Sequence, residues 1–253
     1  MTENYTIAET FTLPSGGKVY EREIDPIIKL RSMTTLEEMK RLSPSQEYPY
    51  RNLCEMLDDC IVGEHNFSTY DLCVGDYQFL LFKLRVVTYG SDFRLTSTCP
   101  YCHYENDDTI NLDSLPTLNY SDELEKYKVV ELPISKHQIK LRMITPRIQD
   151  MSLARSRELK KKMKNNIADY SEMELLAYAI VEIDGKNTNS ADAENFVMNL
   201  PMRDTNYLSQ VILKATSLIG IDSNLTFICD LCGLDYTSPI KATAEFFRPI
   251  LDL

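Results

Sequence analysis

The sequence has 253 residues, of which 43% are hydrophobic and 26% are charged, and its net charge is −11. No apolar run approaches the roughly 18 residues that a membrane-spanning helix needs, which excludes a transmembrane segment. The first residues, MTENYTIAET, lack the basic and apolar regions of a signal peptide. We therefore expect a protein of the reducing cytoplasm, without structural disulfides. Because Lys and Arg supply most of the affinity for phosphate backbones, the acidic balance argues against nonspecific nucleic-acid binding.

The amino-terminal residues 1–25 are expected to form an extended arm. Within them, Pro14-Ser15-Gly16-Gly17 predicts a turn between two short extended pieces. An arm of this kind is expected to lie on the surface of the protein rather than to form part of its core.

Residues 26–90 are predicted to be helical. A capping box of Thr34 with Glu37, or its alternative one residue later, predicts the start of a first helix. A second helix is indicated by apolar residues that recur with a helical period, namely Leu53, Met56, Leu57, Cys60 and Ile61. Its cysteines, Cys54 and Cys60, are interpreted as small packing residues, with metal ligation as the less favoured alternative. A third helix, Asp76 to Thr88, is apolar on most sides and should be buried.

Four of the seven cysteines occur in two Cys-x-x-Cys turns, CPYC at residues 99–102 and CDLC at residues 229–232. Strand-like segments precede and follow each turn, so each turn is predicted to be the tip of a β-hairpin. Two such hairpins placed face to face offer four thiolates in a tetrahedron around a zinc ion. We therefore predict one structural Zn²⁺ per chain, without an open coordination position, held by Cys99, Cys102, Cys229 and Cys232.

Two other interpretations of these cysteines remain open. A redox pair needs a thioredoxin-like strand–helix context, and neither turn opens an obvious helix. The four thiols could instead be unliganded core residues, because the separation between the two turns is far larger than in a compact zinc finger. His103 adjoins the first turn but is not needed as a ligand.

Between the two turns, residues 116–220 are predicted to form an inserted module of strands and helices. Two strands, Lys128 to Ile134 and Gln138 to Ile144, are expected from a short turn and from the alternation of apolar with polar residues in the second strand. Pro146 starts a long helix. Further helices are predicted at residues 172–183, 191–199 and 204–218.

The predicted fold class is therefore α+β and mostly helical. It contains a discontinuous four-cysteine zinc ribbon, formed by residues 91–115 and 221–243, with the strand-and-helix module inserted between its two halves. Residues 244–253 form a separate apolar carboxyl-terminal tail.

Two features are predicted to bind a partner protein. The first is a basic stripe on the long helix, which is either a solvated face or a dock for an acidic neighbouring subunit; its residues are Arg157, Lys160, Lys161 and Lys164. The second is the tail, which is too apolar to be left in water. It is expected to pack on its own domain or, as we favour, in a neighbour's groove, through Phe246, Phe247, Ile250 and Leu251.

Several short motifs occur in one fixed order along the chain: FTLPSGGKVYER, LRSMTTLEEM, FKLRVVTYGSDF followed by CPYC, IKLRMITP, VEIDGK and IGIDSNLTFICDLC. In this order they resemble the baseplate protein family of contractile-tailed, T-even-type bacteriophages, which includes baseplate hub subunits and hub assembly proteins. The resemblance runs from about Phe11 to Leu253. It implies other baseplate or hub proteins as partners, and a location in the virion tail baseplate or, during assembly, in the host cytoplasm. It supplies no catalytic residues.

An enzyme is not expected, because the sequence has no P-loop, no dinucleotide-binding glycine loop, and neither HExxH nor GxSxG. No small-molecule substrate and no membrane are therefore expected as partners. The stronger competitor is a zinc-ribbon, nucleic-acid-binding regulatory protein. Against it stand the acidic charge and the turn tips, Pro100-Tyr101 and Asp230-Leu231, which carry no Lys or Arg. A structural or assembly role through protein–protein binding fits best.

Overall fold

The structure, a computed structural model, describes residues 7–42, 45, 47–162, 169–240 and 244–247. Seven α-helices lie within these residues: α1 Thr35–Arg41, α2 Arg51–Cys60, α3 Val74–Tyr89, α4 Pro146–Lys162, α5 Ser171–Ala179, α6 Ser190–Met198 and α7 Met202–Ser217. None of the described helices is long and apolar enough to cross a membrane.

Twelve short strands accompany these helices in the described part of the chain: β1 Ala8–Thr12, β2 Ile27–Arg31, β3 Asp92–Thr98, β4 Glu105–Asn111, β5 Thr117–Leu118, β6 Val129–Glu131, β7 Gln138–Leu141, β8 Ile180–Ile183, β9 Lys186–Asn187, β10 Gly220–Ile221, β11 Asn224–Ile228 and β12 Asp235–Pro239. Four sheets are antiparallel pairs (β1–β2, β3–β4, β5–β10 and β11–β12), and the fifth has the order β6-β7-β8-β9. The described residues are 43% helix and 23% strand, so the fold is mixed, with more helix than strand.

The first three helices follow the sequence signals. α1 begins with the predicted capping box, in which the Glu37 carboxylate accepts the backbone N–H of Thr34 at 2.7 Å. α2 buries Cys54 and Cys60, so both are packing residues as interpreted. α3 is buried on most of its surface and forms the centre of the larger apolar core.

The helix predicted at residues 172–183 ends at Ala179, and the remaining residues form β8. This part of the prediction is wrong because Ile180 and Ile183 pair with Leu141 and Ile139 of β7, where β-branched side chains pack well. Asp184 and Gly185 follow with φ of 52° and 73°. Positive φ at both positions is typical of a two-residue hairpin turn, and this turn leads into β9.

The turn of the amino-terminal arm is buried, which corrects the expectation of a surface element at that turn, whereas most of β1 in the same arm is exposed. β1 pairs with β2, and Leu13 and Ser15 are buried. The Asp76 carboxylate, in the first turn of α3, accepts hydrogen bonds from the backbone N–H of Ser15 at 2.9 Å and from the Ser15 hydroxyl. It also accepts one from the hydroxyl of Tyr20 at 2.6 Å. This polar turn can be buried because the buried Asp76 carboxylate accepts hydrogen bonds from its N–H and hydroxyl groups.

The inserted module leaves and re-enters the rest of the fold through the β5–β10 pair. There the backbone of Gly220 packs directly on Gly75 of α3, with Gly220 at a φ of 116°. A Cβ on Gly75 would lie 2.2 Å from the carbonyl oxygen of Ile219. Because no side chain fits at that distance, glycine is required on the α3 side of this contact.

The last described segment, Ala244–Phe247, places two aromatic rings in the core. Phe246 is fully buried, with its ring centroid 4.6 Å from that of Phe82 and 5.3 Å from that of Phe93. Phe247 is buried beside it. From the sequence, packing of the tail in a groove of a neighbouring protein is favoured. For Phe246 and Phe247 this expectation is wrong, because their rings fill a site between α3 and β3 of their own chain.

A buried arginine fixes this segment. Arg85 of α3 is fully buried and donates to the backbone carbonyls of Phe246 at 3.1 Å and Asp92 at 3.0 Å, and to that of Gly90. Burial lowers the pKa of this guanidinium from its usual value. Three carbonyl acceptors compensate for its desolvation and join the end of α3, the start of β3 and the carboxyl-terminal segment.

A second apolar core, formed mainly by α4–α7 and the four-stranded sheet, contains one unusual acid. Glu174 of α5 is 1% exposed, and its Oε1 has no hydrogen-bond partner among the described residues. Burial, followed by the negative charge of Glu194, raises the pKa of Glu174 to about 7, although Arg155 opposes the shift. The ionised form of Glu174 is therefore disfavoured in the folded state.

We expect Glu174→Gln to stabilise the protein above pH 7. In wild type, the folded state holds a proton on Glu174 between the unfolded pKa and about 7, so stability from this group is present at low pH and is lost as pH rises. Gln mimics the protonated acid. The variant should therefore unfold at a higher temperature than wild type at pH 8, by roughly 2–4 °C for each kcal/mol recovered, and at a similar temperature at pH 4.5.

Thermal unfolding between pH 4.5 and 8 measures this difference. The exposed Glu9→Gln is the matched control and should leave the pH profile unchanged. An identical pH profile for Glu174→Gln and wild type would contradict the assignment.

Candidate metal centre

The two Cys-x-x-Cys turns lie at the tips of two antiparallel hairpins, as predicted. β3 pairs with β4, and β11 pairs with β12, over their full lengths. Thr98 and Ile228, the last residues of β3 and β11, directly precede Cys99 and Cys229. The first cysteine of each turn therefore directly follows the first strand of its hairpin.

The two turns share the same backbone geometry. The N–H of His103 donates to the carbonyl of Cys99 at 2.9 Å, and the N–H of Gly233 donates to the carbonyl of Cys229 at 2.8 Å. His103 and Gly233 both have positive φ, 61° and 70°. This conformation is uncommon for a residue with a side chain, so the turn imposes it on His103.

The four thiol groups converge between the hairpins. The Sγ atoms of Cys99 and Cys232 are 3.7 Å apart, and those of Cys102 and Cys229 are 3.5 Å apart. All four sulfur atoms lie within 4.8 Å of one another, and within the described ranges they form the group that could hold a metal ion. Sulfur atoms bound at about 2.3 Å to a tetrahedral ion are roughly 3.8 Å apart, so the spacing fits one such ion.

The electrostatics of the cluster favour a thiolate at one position. Burial raises the pKa of the Cys229 thiol, but backbone N–H groups of Cys232 and Leu231 and the Cys102 thiol outweigh it and bring the pKa to about 6. A metal ion needs deprotonated sulfur. These contacts favour the deprotonated form of Cys229, which is the form that a metal ion needs.

Sulfur contacts of 3.7 Å and 3.5 Å join one turn to the other, whereas a redox Cys-x-x-Cys pair acts within one turn. The other three cysteines, Cys54, Cys60 and Cys73, are buried elsewhere. Burial raises the pKa of each of these thiols, to about 12 for Cys60 and Cys73. They are therefore poor nucleophiles at neutral pH, and none of them belongs to a group of described residues that could hold a metal ion.

A buried polar network holds the two hairpins together beside the thiols. The hydroxyl of Tyr236 on β12 is 2.6 Å from Ser97 Oγ on β3 and accepts a hydrogen bond from Asn106 Nδ2 on β4 at 2.9 Å. Asn106 Oδ1 accepts the backbone N–H of Asp230, in the second turn, at 2.9 Å. The hairpins are thus oriented by protein groups as well as by the cysteines.

Sequence reasoning did not find Ser97, Asn106 or Tyr236. Each is a polar residue whose side chain lies on the inward face of its strand. The strand alternation could have placed them inward. No spacing rule pairs Ser97 and Asn106 with Tyr236, because their contact depends on how the hairpins face each other.

The basic stripe lies on an exposed face of α4 for the three residues that the structure describes; Lys164 falls outside them. Arg157 donates to the backbone carbonyl of Glu47 at 2.9 Å, and Lys160 lies 3.4 Å from the carboxylate of Asp169. Lys161 is exposed. The stripe's role as a dock stays a prediction. From the tail, Ile250 and Leu251 also lie outside the described residues.

The fold and the site define a protein of mixed helix and strand, in which four cysteines from two distant hairpins could bind one metal ion. Residues 5–248 match the family model described as T4 bacteriophage base plate protein. The match covers nearly the whole chain, so the chain belongs to this family, which confirms the resemblance found in the ordered motifs. Neither the curated proteins nor the solved structures contain a significant match.

We expect Tyr236→Phe to destabilise the paired hairpins while leaving the metal ligands in place. The change leaves Ser97 and Asn106 as buried groups without their shared partner, at a cost on the order of 1–3 kcal/mol. Thermal unfolding should therefore occur at a lower temperature, with unchanged metal content by elemental analysis. Tyr101→Phe, at a tyrosine that is 61% exposed, is the control. Equal melting temperatures for both variants would show that the network contributes nothing.

Proposed function

We propose that this protein is a structural or assembly component of a contractile phage tail baseplate, either a hub subunit or a hub assembly factor. The observation that carries the proposal is the family match over residues 5–248. The hub assignment rests on the ordered sequence motifs. The protein acts by binding other baseplate proteins, in the virion tail and, during assembly, in the host cytoplasm. A baseplate family suggests a non-enzymatic role, and we propose no catalytic residue.

We further propose that the cysteine cluster binds one structural zinc ion. Four thiolates are the soft ligand set that zinc accepts in closed structural sites. In this role Cys99 and Cys102 hold the ion from one hairpin, and Cys229 and Cys232 hold it from the other. The ion would supply no chemistry beyond fixing the two hairpins to each other.

The nucleic-acid-binding alternative is not favoured. The chain has 38 acidic and 27 basic residues, so its net charge repels phosphate. Direct docking on nucleic acid would also need Lys or Arg at the turn tips, which carry none. The basic stripe on α4 is better suited to an acidic protein surface.

Purified protein should contain close to one zinc ion per chain. Cys229→Ser should lose most of the zinc and should unfold at a clearly lower temperature, because metal-binding energy is folding energy in such sites. Treatment of wild type with a chelator should lower its melting temperature in the same way. Cys54→Ala is the matched control: it removes a buried thiol outside the cluster and should keep its zinc. A Cys229→Ser protein with full zinc content would refute the site.

The basic stripe gives a separate test. Lys160→Glu with Lys161→Glu should leave the isolated fold intact, because exposed helix charges contribute little to stability. If the stripe docks an acidic subunit, this double variant should enter baseplates less well, and the defect should shrink as salt rises, because salt screens the charges that the variant changes. Lys126→Glu with Lys186→Glu makes the same change of charge at exposed sites elsewhere. Normal assembly of the stripe variant would show that the stripe is only a solvated face.

Mass spectrometry of washed phage tails and of isolated baseplate intermediates tests the proposed function itself. A hub subunit should be present in both, whereas a hub assembly factor should be present in intermediates and missing from finished tails. Detection of the phage's known tail components in the same samples is the control. Absence of the chain from both fractions would contradict a baseplate role.

A further inference from the structure

Large apolar side chains occupy equivalent positions in the two Cys-x-x-Cys turns. The N–H of Cys99 donates to the carbonyl of Tyr104 at 2.9 Å, and the N–H of Cys229 donates to the carbonyl of Leu234 at 3.1 Å. Tyr104 and Leu234 therefore hold the same place in their turns. In the same way, one apolar residue precedes the second cysteine of each turn. We call the four side chains the turn-tip surface: Tyr101, Tyr104, Leu231 and Leu234.

The turn-tip surface is open to solvent. The exposed fractions are 61% for Tyr101, 42% for Tyr104, 66% for Leu231 and 49% for Leu234. Each residue lies within two positions of a clustered thiol, so the four gather around one centre instead of being scattered singly. Ile228, at the base of the second turn, is also exposed. Grouped exposed apolar residues of this kind mark an interaction site.

The two hairpins that carry this surface are predominantly acidic. The hairpin at residues 92–111 contains four acidic residues and one arginine, and the hairpin at residues 224–239 contains two acidic residues and no Lys or Arg. Nearest to the turns, Glu105, Asp230 and Asp235 are exposed. An apolar centre with an acidic border is complementary to an apolar patch bordered by Lys and Arg.

We propose that the turn-tip surface docks a different protein of the phage tail, one that presents an apolar patch bordered by Lys and Arg. The class of partner rests on the proposed baseplate function. A second copy of this chain would bring the same acidic border to a symmetric contact and would place like charges opposite one another. Nucleic acid is disfavoured by the same charges.

The geometry also suits a rigid docking surface. All four side chains are carried by short turns, and two backbone hydrogen bonds close each turn. The hairpins beneath them are joined by the thiol cluster and by the bonds of Tyr236 to Ser97 and Asn106. A surface fixed in this way loses little conformational entropy when a partner binds.

The test uses the full chain. It is expressed from a plasmid in the host, which is then infected by a phage from which the gene for this chain has been deleted. Leu231→Ser with Leu234→Ser should keep the zinc content and melting temperature of wild type and should enter baseplate particles at least tenfold less well, because apolar anchors dominate interface energy. Leu213→Ser is the matched control at a leucine of α7 that is 71% exposed, and it should assemble normally. A photo-crosslinking benzoylphenylalanine in place of Tyr101 should join one other tail protein, at a peptide that carries Lys or Arg.

The outcomes separate this inference from the function on which it rests. If wild type enters baseplates and the double leucine variant enters equally well, the docking inference falls and the proposed function stands. If wild type is found in no baseplate particle or intermediate, both fall. A crosslink from position 101 to a second copy of this chain overturns the partner named here. If the leucine variant loses zinc, the crosslink from position 101 tests the inference instead, because replacing Tyr101 leaves all four thiols in place.

Discussion

The four thiols of two hairpins that are distant in sequence converge where the chain returns after the inserted module. Closing so long a segment of chain costs conformational entropy, and that cost must be offset where the chain returns. The thiol cluster, the Tyr236 network and the β5–β10 pair all lie at this closure. The contact of Gly75 with Gly220 brings the same returning segment against α3. The hairpins that carry the cysteines, and the surface around their tips, are positioned by this set of contacts.

Small sheets of two strands are marginal by themselves, and the described part of the chain contains four of them. Buried charged groups that accept or donate several hydrogen bonds link them to the helices. Asp76 ties the amino-terminal turn to α3, and Arg85 ties the carboxyl-terminal segment to the start of β3. Asp150 of α4 accepts the backbone N–H groups at the start of α2. Each of these groups joins segments far apart in sequence, so they act as internal links in a protein with little continuous sheet.

Local signals in the sequence predicted the features that depend on neighbouring residues. The capping box of α1, the helical period of α2 and the Cys-x-x-Cys hairpin tips all belong to this kind. The burial of Ser15 and of Phe246 could not be predicted in this way, because it depends on Asp76 and on Phe82 and Phe93, which are remote in the chain. The four-cysteine site was predictable because its chemistry is encoded in residue type. The Tyr236 network beside it was not, because its partners share no motif.

The proposed zinc ion would fix the two hairpins to each other without a large core around the site. X-ray absorption at the zinc K edge of the purified protein identifies the ligands of the bound ion. A closed four-cysteine site should show four sulfur ligands at about 2.3 Å and no nitrogen or oxygen ligand. A bound zinc with mixed nitrogen or oxygen ligands, or a protein that folds at full stability without any metal, would contradict it.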